Sequence, residues 1–276
     1  LKPKFPAALS GRTHALGRIF DVLGALLGMG APEMMLNAAG FSDSPHLFYS
    51  GYDDTGEWFQ LFQIGFGGVP GRPVGDGPDG HSLWPGFTNV PNEFIESYFP
   101  LRIERYETIP DSGGAGLHRG GNGLSVAYHF LCDGSVGIHD ERWLTYPWGV
   151  LGGDTGMRST KRIVRTDGTE EWLPAKAEGI KVKKGDVLYF NTWGGGGWGD
   201  ALERDPQLVA ADVRRRLVTA EGAKRYGVIV TPDMRVDSAA TEALRAKMRA
   251  ERGDEKSLFN FGGTVEELRE RCEVET

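Results

Sequence analysis

Asp111-Ser-Gly-Gly-Ala-Gly-Leu-His-Arg-Gly-Gly-Asn-Gly123 is the stretch on which the reading of this chain turns. Six of its thirteen residues are glycine. Glycine loses the most backbone freedom on folding and brings no side chain to pack, so a strand or helix does not continue through such a run. The stretch reads as a wide loop between strands, with several positive-φ positions. Its amides could also line an anion-binding nest. Arg119 would then add a planar fork for a carboxylate or phosphate, which makes Arg119 the candidate substrate- or anion-binding residue.

On both sides the pattern is strand-like. Residues 102–108 alternate Arg-Ile-Glu-Arg-Tyr-Glu-Thr, and 124–131 run Leu-Ser-Val-Ala-Tyr-His-Phe-Leu. Segments 161–166 and 187–191 are short and β-branched or aromatic, with turns at Asp167-Gly168 and Lys184-Gly185-Asp186. Upstream, Asp53-Asp54-Thr55-Gly56 separates two aromatic runs within 46–66, which predicts a hairpin. Residues 14–28 predict a helix with Leu16, Ile19, Phe20, Leu23, Leu26 and Leu27 on one face, expected to pack against the body. Downstream the character becomes helical. Asp205-Pro206 opens one helix, Gly227 ends a second at 219–226, 237–251 forms a third, and Thr264-Val-Glu-Glu267 is a capping box for a fourth. The fold expected is α+β: a β-rich body, sandwich or partial barrel, with glycine-rich loops and a C-terminal helical tail. The divisions fall at 1–45 for an N-terminal helix segment, 46–200 for the β-rich domain and 201–276 for the tail.

Composition narrows the function. The 276 residues carry 31 Lys and Arg against 38 Asp and Glu, a net charge of -7. Such a chain has no global attraction for nucleic acid or an anionic membrane. No apolar run approaches the ~20 residues of a membrane span. The opening Leu-Lys-Pro-Lys-Phe-Pro has neither a hydrophobic leader nor an initiator Met, and reads as the start of a fragment or processed piece. Cys132 and Cys272, 140 residues apart, form neither a disulfide framework nor a zinc pattern, and the expected compartment is the reducing cytoplasm.

Catalytic candidates come from the loop at 65–86, which holds eight glycines and four prolines. Asp79-Gly80-His81 lies within it and Asn89 just beyond, so Asp79, His81 and Asn89 are the candidate catalytic residues. His139-Asp140-Glu141-Arg142 bunches polar groups that could ligate a metal or do acid–base work, but a strand end with a local ion pair is the favoured reading. Gly194-Gly-Gly-Gly197-Trp-Gly199 contains the spacing G-x-G-x-x-G, but no helix opens directly after it and no acid follows ~20 residues on. It reads as a structural turn beneath Trp193 and Trp198. The chain has no P-loop, no nucleophile elbow and no legible Cys–His pair.

Several segments in order resemble one family. Ile103-Glu-Arg-Tyr-Glu leads to the 111–123 stretch, followed by Pro147-Trp-Gly-Val-Leu-Gly-Gly, Gly194-Gly-Gly-Gly-Trp-Gly-Asp, Glu203-Arg-Asp-Pro and Tyr226-Gly-Val. Across residues 5–230 this is similar to the hydantoinase B/oxoprolinase family, whose members include hydantoinases, oxoprolinases, caprolactamase and ketone carboxylases. The resemblance covers the C-terminal half of a B-type subunit. It implies a multi-subunit ATP-dependent enzyme that activates a carbonyl by phosphorylation. ATP and magnesium would sit on a hydantoinase A-type partner. A divalent metal, zinc or manganese, would lie in the N-terminal half of the B-type subunit, which 1–45 would join, and no metal is expected in this chain. A small third subunit completes the implied partners. Family hydrolases carry Thr-Pro before the glycine tetrad and Tyr within it; this chain has Thr192-Trp193 and Trp198. Those departures point to a ketone carboxylase of the acetophenone carboxylase type. The alternatives are an ATP-dependent cyclic amide hydrolase and a non-catalytic scaffold half.

Overall fold

The computed structural model describes residues 12–41, 45–81, 90–253 and 256–274. In chain order the elements are α1 (Arg12–Gly30), β1 (His46–Tyr52), β2 (Trp58–Ile64), α2 (Asn92–Tyr98), β3 (Leu101–Thr108), β4 (Leu124–Phe130), β5 (Gly134–His139), β6 (Gly149–Val150), β7 (Thr160–Val164), β8 (Glu170–Trp172), β9 (Lys176–Val182), β10 (Val187–Asn191), α3 (Pro206–Arg214), α4 (Ser238–Arg252), β11 (Phe259–Asn260) and α5 (Val265–Val274). The hairpin expected at 46–66 is β1–β2, its register running from His46 opposite Ile64 to Tyr52 opposite Trp58. The Asp53 carboxylate closes the turn by accepting from the amides of Thr55 and Glu57 at 2.8 and 2.9 Å.

The two larger sheets are antiparallel, in the orders β2-β1-β5-β9 and β3-β4-β10-β7-β8. Alternation along β2 buries Phe59, Leu61 and Gln63 and turns Trp58, Gln60 and Phe62 outward. Tyr49, Leu61, Val136 and Ile138 of the first sheet share one core with Tyr128, Phe130, Ile163 and Leu188 of the second. The body is therefore a sandwich.

The glycine segments are where the structure departs most from expectation. They are not surface loops. Residues 38–40, 67–71, 77–80, 112–123, 148–157 and 194–199 form segments that hydrogen-bond to one another. Gly71 N donates to Gly196 O (2.9 Å), Gly195 N to Gly121 O (2.9 Å), Gly114 N to Gly195 O (2.8 Å), Gly196 N to Ala39 O (2.7 Å) and Gly197 N to Asp154 O (2.9 Å). The tetrad is not a turn but the axis of this bundle. A strand in a sheet has backbone neighbours on two sides, whereas the tetrad is enclosed by four segments, 38–40, 67–71, 112–123 and 148–157. A Cβ on Gly194 would lie 1.8 Å from Ser112 O, on Gly195 2.3 Å from Val69 O, on Gly196 2.1 Å from Trp148 O and on Gly197 2.0 Å from Ala115 O. Nor do the glycines of 111–123 adopt positive φ; in that stretch only Asp111 does, at 63°. Close approach of backbones, not a left-handed conformation, selects glycine here.

Helix α1 forms as the periodicity predicts, but its orientation is the reverse. His14, Gly17, Asp21, Gly24 and Gly28 face inward, while Ile19, Leu23, Leu26 and Leu27 face solvent. The reason is steric and polar. Gly24 lies against the Asn37 side chain and Gly28 against Met35, so a Cβ on Gly28 would meet the Met35 sulfur at 2.4 Å. The Asp21 carboxylate accepts from the amides of Gly40 and Phe41, both at 3.2 Å, and pairs with Arg142 and Arg18.

The helical region after 200 returns to the bundle. Asp205 caps α3, Asp237 caps α4, and Thr264 and Glu267 form the reciprocal box of α5. β11 pairs with β6, which lies within the bundle. No helix among the described residues is long and apolar enough to cross a membrane.

A Cβ on Gly121 would lie 1.8 Å from Pro78 O, a backbone atom that cannot swing aside. Gly121→Ala is expected to cost more than about 3 kcal/mol, the upper range for overpacking. Gly30→Ala, with nothing within 4 Å, should change stability by less than about 1 kcal/mol. Urea denaturation of both variants checks this; equal effects would contradict the packing argument.

Candidate functional site

The bundle brings the 76–81 segment onto 117–122. Gly77 N donates to Arg119 O and Gly80 N to Asn122 O, both at 2.8 Å. This sets Asp79 facing Arg119, forty residues away in sequence. The guanidinium grips the carboxylate through two bonds of 2.7 and 2.9 Å, and Asn122 N donates to the same carboxylate at 2.7 Å. Beside it, Arg204 grips Asp76 at 2.6 and 2.7 Å and reaches Asp212 of α3 at 2.8 Å. Arg119 Nε lies 3.7 Å from Asp212, which joins the two pairs into one network.

Three carboxylates and two guanidinium groups thus share a mostly buried site. Burial alone would raise the Asp76 acid, but the hydrogen bonds and charge of Arg204, with Arg119, outweigh it and hold the carboxyl below its usual range. For Asp212 burial wins over the attraction of both arginines, and its acid is raised. Burial disfavours charge on Arg119 and Arg204, yet the facing carboxylates keep both firmly protonated.

The sequence candidates therefore land in different places. Asp79 and Arg119 meet each other. The amides of Gly113, Gly114, Gly120 and Gly121, proposed as an anion nest, donate to Asn122 Oδ1, Gly195 O, Gly114 O and Val69 O. His81 is exposed, its amide bonded to Gly67 O at 2.8 Å. Asn89 lies outside the described residues, as do Trp84 and Phe87. The 139–142 group separates into ion pairs: His139 with Glu178 (2.5 Å), Asp140 with Lys161, Glu141 with Arg18 (3.4 Å) and Arg142 with Asp21. No group of three or more His, Cys, Asp or Glu side chains among the described residues is arranged to hold a metal.

Sequence reasoning missed Asp76, Arg204 and Asp212, although Arg204 lies inside a quoted motif. It also missed a cleft of about 540 Å³ where the bundle meets α4, lined by Gly152, Asp154, Asp200, Arg225, Met248 and Arg252. Partial burial raises the Asp154 acid, against the pull of Arg225, whose Nε is 3.5 Å away. Asp200 does the opposite. It accepts from Leu202 N (2.9 Å) and from both terminal nitrogens of Arg252 (2.8 Å each). Burial would raise its acid, but these bonds and Lys256 hold it down, to about 2.

The glycine bundle and the sandwich define the class of protein. The hydantoinase B/oxoprolinase family model matches residues 1–201, and the chain belongs to that family. It is 32% identical over 248 residues to a Pseudomonas sp. (strain NS671) protein assigned as the B-type component of a D-/L-hydantoinase, covering 88% of this chain and 41% of that one. The beta chain of caprolactamase from Pseudomonas jessenii is 35% identical over 161 residues, 56% of this chain and 27% of that one. The delta chain of acetophenone carboxylase from Aromatoleum aromaticum is 31% identical over 220 residues, 67% of this chain and 32% of that one. The crystal structure of the ATP-dependent caprolactamase from Pseudomonas jessenii superimposes with a TM-score of 0.70 at 27% identity, covering 80% of this chain and 40% of that one. Nucleotide-free acetone carboxylase shares the fold, with a TM-score of 0.67 at 21% identity over 89% of this chain and 38% of that one. The chain thus spans well under half the length of these relatives.

The depressed acid of Asp200 contributes stability that is fully present above the unfolded value near 4 and lost as pH falls toward about 2. Asp200→Asn should remove up to about 2 kcal/mol at pH 6. It should also flatten the loss of stability between pH 4 and 2 relative to wild type. Chemical denaturation across that range checks this; parallel pH profiles would contradict it.

Proposed function

We propose that this chain is the bundle-forming part of an ATP-dependent enzyme that opens a cyclic amide of the hydantoin or lactam class. The observation that carries this reading is the match to the B-type hydantoinase component over 88% of the chain, which runs through the glycine segments. Phosphorylation of the amide oxygen would convert a poor electrophile into a phosphorylated imidate open to water. ATP and magnesium would be held by a hydantoinase A-type partner, and the N-terminal half of the B-type subunit would complete the site, with a small third subunit as a further member. A divalent metal does not fit the acids of this network: Asp76, Asp79 and Asp212 are committed to guanidinium groups.

Within this chain, Asp79 is a positioning residue. It acts through Arg119 and the Asn122 amide to fix the 76–81 segment on the bundle. That segment delivers His81 to the surface, where we assign it proton transfer; Asn89 stands as its expected companion beyond the described residues. A second reading, ketone carboxylation, is favoured by Trp193 and Trp198 in place of the hydrolase residues. The Trp193 side chain is buried against Gly67 and the Trp198 ring lies tilted beside that of His118, centroids 5.8 Å apart, so both are built into the bundle.

The assembled enzyme, given ATP and a hydantoin or lactam, is expected to release the ring-opened acid with no dependence on bicarbonate. Bicarbonate-dependent carboxylation of a ketone would replace this reading with the second. In the same complex, His81→Ala should lower turnover at least tenfold with assembly intact; unchanged turnover removes His81 from the mechanism.

A further inference from the structure

Helix α1 is built inside out for a protein that stands alone. Its inward positions are 14, 17, 21, 24 and 28, a three-four repeat occupied by His, Gly, Asp, Gly and Gly. Its outward positions carry Ile19, Val22, Leu23, Leu26, Leu27 and Met29, each roughly half exposed or more, with Leu26 at 58%. The polar contacts of Asp21 and the tight seating of Gly24 and Gly28 fix this orientation. Rotating the helix to bury the leucines would strip the Gly40 and Phe41 amides and Arg142 of their acceptor. A contiguous apolar stripe held outward by a polar lock is an interaction surface.

We infer that this face of α1 docks onto the part of a B-type subunit that this chain does not contain, an inference that rests on the proposed assembly. Three observations select that occupant. First, α1 lies inside the family-matched span 1–201 rather than in the region beyond it. Second, the relatives carry about three fifths of their length outside the matched part, 59% for the B-type hydantoinase component and 60% for the caprolactamase structure, taken as 100% less the shares covered. Third, α1 is seated directly on the bundle: Gly40, which binds Asp21, lies against Gly195 of the tetrad. A membrane surface fits poorly. An interfacial helix is flanked by exposed Lys and Arg, whereas Arg18 is turned to Asp21 and Glu141 and the chain carries a net charge of -7.

The test uses the complex purified with its native companions. A photoreactive residue at position 23 is expected to crosslink to a peptide whose sequence aligns with the unmatched part of the B-type hydantoinase relatives. A crosslink to a second copy of this chain, to an A-type chain or to nothing overturns the inference. The Leu23→Glu/Leu26→Glu double variant should keep the far-UV circular dichroism and Tm of wild type, because both side chains already face solvent. It should retain at least tenfold less companion. Tyr52→Glu, exposed at the end of β1, should assemble normally. If the double variant assembles like wild type, the surface assignment fails. ATP-dependent turnover by the wild-type preparation, measured in parallel, reports on the proposed function separately. Active wild type with an undiminished double variant sinks only the surface, whereas inactive wild type with lost companion binding in the variant sinks only the function.

Discussion

The constraint on which this structure depends is backbone packed directly on backbone. At the tetrad the chain passes through a ring of carbonyls that leaves no volume for a Cβ on any of four consecutive residues. The four amides there meet carbonyls of three other segments, Met157 and Asp154 in one, Gly121 and Ala39 in the others, which satisfies buried polar groups without a sheet ladder. Everything else is positioned from that axis. β10 enters it at Asn191, β4 leaves it at Leu124, α1 is seated on Gly40, and the helical region is fastened to its exit through Asp200. A residue with any side chain at these positions would force apart segments that are distant in sequence, so the damage would not stay local.

The ionic groups serve the same arrangement. Arg119 and Arg204 link the 76–81 segment to 117–122 and to α3, and Arg252 links α4 to the end of the tetrad motif. Charges this buried require partners, and the partners come from different glycine-linked segments. Such a framework can hold reacting groups in a fixed geometry while most of its own charges stay committed. The same division holds in α1, whose polar side is used inward and whose apolar side remains outward.

Much of the fold was legible. The β1–β2 hairpin followed from aromatic runs around an Asp-Asp-Thr-Gly turn, the helix starts at Asp205 and Thr264 followed from capping residues, and the helix at 237–251 from apolar residues at four-residue spacing. The glycine segments were located but misjudged. Local rules treat dense glycine as loop because they count conformational entropy and absent side chains. They do not see that several such segments, brought together, form a core with no side chains at all. For α1 the 3.6-residue period identified the helix and its stripe correctly; that Gly24, Gly28 and Asp21 would win the inward face depended on Met35, Asn37 and Gly40 already being in place. Of the ionic network, Asp79 and Arg119 were named from the sequence, but their union and the contributions of Asp76, Arg204 and Asp212 arise from long-range packing that no spacing reveals.

Amide hydrogen exchange tests the central claim most directly. If the glycine bundle is the core, peptides covering 112–123 and 192–199 will exchange as slowly as β4 and β10, through global unfolding alone. Exchange of those peptides as fast as the exposed turn at 165–169 would contradict the account and return them to the status of surface loops.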